Sequence, residues 1–117
     1  MKMTSFATFE KINLTFPEVT IEPHFEKISF RVRKKIFATY DEKNLSATVK
    51  LSKSDQDQFS SANQSVYPVD NKWGEQGWTI VELAQVDEGL LYGILTSAYR
   101  EVAPKKLIEL MDTDENS

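Results

Sequence analysis

Phe6, Phe9 and Ile12 recur at three-residue spacing behind Thr4 and Ser5, either of which can cap a short helix. Pro17 ends that segment, because the residue before a proline is pushed out of helical geometry. The period then changes to two. Ile28, Phe30 and Val32 alternate with Ser29, Arg31 and Arg33, which predicts a strand with its apolar trio inward and both arginines outward. Lys34-Lys35 reads as the tight turn into a second strand, with Ile36, Ala38 and Tyr40 on one face and Phe37 and Thr39 on the other. A third alternation places Leu45, Ala47, Val49 and Leu51 inward. Three such runs predict an antiparallel meander with one wet face.

The polar stretch from Ser52 to Asn63 has a serine three residues before Asp55 and predicts a surface helix held through Leu51 and Phe59. Pro68, inside Val66-Tyr67-Pro68-Val69, restricts that segment to a sheet edge. A further strand is expected from Trp78 to Ala84, with Thr79, Val81 and Leu83 on one side. Asp87 can cap the clearest helix, whose stripe is Leu90, Leu91, Ile94, Leu95, Ala98 and Val102. Gly89 and Gly93 each weaken it by about 1 kcal/mol relative to alanine, and their small size would let it lie close to the sheet. Pro104 interrupts it, leaving one or two turns from Lys105 to Met111. The fold class expected is two-layer α+β, a mostly antiparallel sheet of about five strands packed on N- and C-terminal helices.

Length confines this to one domain, read as residues 1–110 followed by an acidic, flexible tail at 111–117. The 40% hydrophobic content supplies a core, and no apolar run is long enough to span a membrane. The start, MKMTSFATFEK, has no signal-peptide centre, so a cytoplasmic location is expected. Zero cysteines exclude a disulfide, a thiol nucleophile or a thiolate metal site. One histidine, His24, cannot build a metal cluster, and it reads as a hydrogen-bonded structural residue at a strand end. No Gly-x-Ser-x-Gly elbow or isolated carboxylate pair is present, so neither catalysis nor a cofactor is expected.

The net charge of −4 hides an asymmetry: the window from Lys27 to Lys53 holds eight cations against Asp41 and Glu42. Arg31, Arg33, Lys34, Lys35 and Lys50 either contact a polyanion or simply keep a wet sheet face soluble. Trp73 and Trp78 flank a loop with two glycines; they either stack a flat ligand or close an edge of the core. Lys105-Lys106 could extend the basic surface if the chain end folds back beside the hairpin.

The ordered segments Pro23-His24-Phe25, Ser29-Phe30-Arg31-Val32, Lys35-Ile36-Phe37-Ala38-Thr39, Val49-Lys50-Leu51-Ser52, Val66-Tyr67-Pro68-Val69, Trp73-Gly74-Glu75-Gln76-Gly77-Trp78-Thr79 and Val102-Ala103-Pro104-Lys105-Lys106-Leu107 resemble the MmcQ/YjbR family of small bacterial proteins. The resemblance covers roughly Phe6 to Leu107. It implies a fold similar to type III secretion chaperones and a weak, largely sequence-nonspecific DNA-binding role through two protruding β wings. Arg31 to Phe37 would be one wing, and the loop from Trp73 to Trp78 would belong to the other. The family supplies no catalytic residues. Two other functions stay open beside DNA binding: a protein-interaction module, monomer or weak dimer, using Trp73, Trp78 and Phe37, and a small-molecule site near His24 and the tryptophans.

Overall fold

In a computed structural model the described residues are 5–115, with side chains placed over 5–111. Ser5 caps α1 (Phe6–Leu14), its hydroxyl accepting from the Thr8 amide. Six strands follow, interleaved with helices: β1 (Val19–His24), β2 (Lys27–Val32), β3 (Lys35–Asp41), β4 (Ser46–Lys50), β5 (Val66–Pro68) and β6 (Trp78–Glu82). They form one antiparallel sheet in the order β1-β2-β3-β4-β6-β5. The helices are α2 (Lys53–Ala62), the one-turn α3 (Lys72–Glu75), α4 (Glu88–Val102) and α5 (Lys105–Glu115). The α+β class stands, with six strands where about five were expected.

The additional strand, β1, is an edge strand, most of whose side chains face solvent, and it contains Pro23. No burial pattern marks it in the sequence, and proline is tolerated there because an edge residue need not donate to a neighbour. The β2–β3 turn also sits one residue earlier than expected. Arg33 and Lys34 carry φ of 51° and 71°, the left-handed pair of a tight hairpin, and Lys35 already belongs to β3. Leu45, expected to open the fourth strand, instead closes the preceding turn with φ of 51°.

A bulge changes the facing of β3. Phe30 pairs with Ala38 and Arg31 with Ile36, so Phe37 is the extra residue and the alternation slips by one. Phe37 consequently turns inward beside Ala38, where its ring meets Tyr99 edge-on at 5.6 Å and Phe16 at 6.3 Å. Ile36, expected inward, goes to the opposite face with Thr39. Phe37 is fully buried, which removes it from the exposed aromatic patch expected of an interaction module.

One face of the sheet carries the core. Phe9 of α1 packs on Phe30 and Tyr40, and Leu91, Ile94, Leu95, Ala98 and Tyr99 of α4 are buried over β3 and β4. Asp87 caps α4 by accepting from the Leu90 amide at 2.8 Å. Gly89 and Gly93 do not serve close packing: a side chain at Gly93 would meet nothing within 4 Å, and one at Gly89 would touch only the Asp87 carboxylate. After Pro104, α5 runs farther than the one or two turns expected and buries Leu107 and Met111. The expected tail therefore begins inside a helix, and its last two residues lie outside the described part of the chain.

Candidate functional site

Apart from α3 at its rim, the opposite face of the sheet has no helix over it among the described residues. Antiparallel register lines up Ser29, Thr39, Thr48, Ile80 and Tyr67 across five strands on that face. One row away lies Trp78, opposite Lys50, with Val69 beside it donating its amide to the Trp78 carbonyl. These strands and α3 enclose an open cleft of about 600 Å³. Ile36, Thr39, Thr48 and Ile80 line its floor; Trp73 and Trp78 wall one side, and His24 and Lys27 complete the lining. Trp73 is 51% exposed and Trp78 half-buried, so neither indole is spent on the core.

The loop that carries the indoles is held rigidly. Asn71 caps α3 by accepting from the Trp73 amide at 2.8 Å. Gly74 lies against β5 so closely that a Cβ would sit 1.9 Å from the Val69 carbonyl oxygen. Gly77 takes φ of +105° and approaches the Leu51 carbonyl equally closely, so both glycines are required by the chain path. Beneath them the fully buried Gln56 of α2 points its Nε2 at the Gly74 and Trp78 carbonyls and the Thr79 hydroxyl, at 2.9, 3.2 and 3.1 Å. Its Oε1 accepts from Lys53 at 2.8 Å. Gln56 thus fastens the loop just after one indole and at the other. Sequence reasoning missed it, since a glutamine in a polar helix carries no sign of burial.

His24 ends β1 as expected, but its ring has no hydrogen-bond partner among the described residues; it lines the cleft and meets Phe25 edge-on at 4.8 Å. Lys27, its cross-strand partner, is a lining cation that the sequence reading passed over.

The five wing cations do not converge as a free patch. Arg33 makes a two-bond contact with Glu18 at 2.7 and 3.2 Å, which holds the Glu18 carboxyl below its usual range. Arg31 donates to the Ser29 hydroxyl at 2.9 Å and stands 4.0 Å from Glu22. Lys50 lies 3.9 Å from Glu101. Lys34 and Lys35 at the turn are exposed and have no carboxylate in ion-pair range among the described residues. Lys106, at the start of α5, adds a small favourable field at the Glu18 carboxylate. The indoles and the turn lysines therefore occupy two separate places, joined by β2, whose Arg31 shares the open face with the cleft.

No group of three His, Asp or Glu able to hold a metal ion occurs among the described residues. No described helix is long and apolar enough to cross a membrane.

A family model described as YjbR matches residues 14–101, three quarters of the chain and the whole of the sheet. The chain belongs to the YjbR family. The crystal structure of protein DR2400 from Deinococcus radiodurans, which bears a DUF419 domain, superposes on this YjbR domain with a TM-score of 0.70. The two are 22% identical, over 83% of this chain and 77% of the other, a likeness that speaks to fold. No curated protein matches the sequence.

Proposed function

We propose that this YjbR-family chain is a binding protein, not a catalyst, and that its open sheet face takes a planar anionic ligand of the nucleotide class, free or within single-stranded nucleic acid. One observation carries this reading: Trp73 and Trp78 wall the same accessible cleft that Lys27 and His24 complete. Indoles stack on the π-face of any base, and the Lys27 ammonium across the cleft attracts the phosphate, so these contacts by themselves give weak, salt-sensitive binding with little sequence preference. Duplex DNA fits less well. The hairpin that would contact it has Arg31 and Arg33 facing Glu22 and Glu18, and Lys50 on β4 faces Glu101, which leaves Lys34 and Lys35 as the hairpin's available cations. Those two are suited to hold the backbone of a strand whose bases reach the cleft.

Indole fluorescence tests this directly. A short oligodeoxycytidine should quench it at low salt, duplex of equal length should quench less, and added salt should reverse both. Trp73→Ala should remove about 1–3 kcal/mol of the single-strand affinity. Absence of quenching at low salt, or equal response to duplex, overturns the proposal.

A protein-contact reading draws on a different feature. Phe25, at the tip of the β1–β2 turn, is 94% exposed and takes φ of +59°, a combination rare for an aromatic residue. An exposed ring held out in this way suits contact with a partner's apolar surface, and self-association abolished by Phe25→Ser would favour that reading.

A further inference from the structure

The cleft does not end at Ile80. The same residue lines a second hollow, of about 380 Å³, that continues along β4 and β6 to Ser46, Tyr67 and Glu82. Register explains the continuity: Thr48 faces Ile80, and the next same-face pair along the strands is Ser46 and Glu82. Trp78, Ile80 and Glu82 thus form one line, each step about 7 Å along the strand. The Glu82 carboxylate is already oriented, because the Tyr67 hydroxyl donates to its Oε2 at 2.7 Å. Its other oxygen retains acceptor capacity toward the hollow.

The two sides of this groove differ in sign. On the β2 side stands Lys27, a lining cation with no carboxylate in ion-pair range among the described residues, and Arg31 leans toward the middle row through its bond to Ser29. On the β6 side stands Glu82, in the same cross-strand row as Lys27. Three strand spacings separate the Cα atoms of Lys27 and Glu82, about 14 Å. That leaves room for one nucleotide unit and places an acceptor-only group at its far end. A polyanion continuing along the groove would carry its next phosphate into a carboxylate.

Resting on the nucleotide reading, we propose that Glu82, positioned by Tyr67, selects the base. The carboxylate accepts an N–H from a base that presents an exocyclic amine, which adenine, cytosine and guanine do. Uracil and thymine offer a single N–H flanked by two carbonyls, and those oxygens would face the carboxylate. The ring lies over Ile80 beside the indoles, and the phosphate points across the strands toward Lys27.

The test is titration of indole fluorescence with the four ribonucleoside monophosphates, on the wild type and on Glu82→Gln and Tyr67→Phe, with thermal melts confirming that each variant folds. AMP, CMP and GMP should bind about tenfold more tightly than UMP. Glu82→Gln, whose amide both donates and accepts, should bring all four within about twofold by gaining affinity for UMP. Tyr67→Phe, which only frees the carboxylate, should reduce the discrimination without inverting it. Quenching by all four with equal affinity in the wild type overturns this inference and leaves stacking intact, as does a preference unchanged in Glu82→Gln. Silence from all four removes the nucleotide reading and this inference together.

Discussion

The two faces of this sheet are built from the same strands and have been put to opposite uses. On the covered face, Phe30, Phe37, Val49, Val81, Leu91 and Leu95 are wholly buried, and aromatic rings meet at 4.6 to 6.3 Å. On the open face, Thr48, Ile36, Ile80 and two indoles stay partly accessible, with Lys27 and Arg31 beside them. Stability thus resides on one side, and the proposed recognition on the other. A residue's effect on folding should depend on which side it faces more than on how apolar it is.

Phe37 and Ile36 test this most severely, because they are neighbours that the bulge sends to different faces. Phe37→Ala should cost about 3–5 kcal/mol in denaturant unfolding, as it opens a cavity between Phe16 and Tyr99. Ile36→Ala, on the cleft floor, loses only a part-exposed side chain and should cost about 1 kcal/mol or less. Equal losses would mean that the open face is sealed in the folded protein and not a binding surface.

That pair also shows how much of the molecule the sequence made legible. Period-two alternation placed the facing of β2, β4 and β6, though not every strand end, and Thr4 or Ser5, Ser52 and Asp87 were legible as helix starts because a short polar side chain ahead of a helical run accepts from its free amides. The bulge at Phe37 left no mark: a run of apolar and aromatic residues fits either register until Phe16 and Tyr99 decide which ring is needed inside. Strand β1 was invisible because its pairing comes from β2 and not from its own burial. In the cleft, Trp73 and Trp78 were legible as an unusual loop. Lys27, Ile80 and Gln56 were not, since each enters through a cross-strand or tertiary partner that no local pattern records.

A smaller effect concerns a place where the covered face breaks its own rule. Asn13, in the last turn of α1, is wholly buried, and neither amide atom has a hydrogen-bond partner among the described residues. An unpaired buried amide costs about 1–3 kcal/mol, and an apolar side chain of similar volume escapes that cost. Asn13→Leu should therefore raise the unfolding free energy by about 1–2 kcal/mol while leaving ligand response on the open face unchanged. A loss of stability would show that an internal water or another group satisfies the amide and that polar character is needed there.

The finest test lies at the seam between the faces. Tyr99 belongs to the core, yet its hydroxyl reaches the Pro17 carbonyl at 2.6 Å, next to the Glu18–Arg33 pair that anchors the hairpin. Burial, reinforced by Glu18, pushes the phenol up to about 12. The unfolded chain ionises this group near 10, so between these values the folded state holds the proton more tightly and stability falls as pH rises. The contribution is whole below about 10 and is lost as pH climbs through about 12. Tyr99→Phe should cost about 1 kcal/mol at neutral pH, the worth of one neutral hydrogen bond. Above pH 10 the gap between wild type and variant should narrow, because phenylalanine has no proton to lose. A gap that stays constant to pH 12 would mean that the hydroxyl ionises freely in the folded protein, and that the Pro17 contact is not what joins the core to the hairpin.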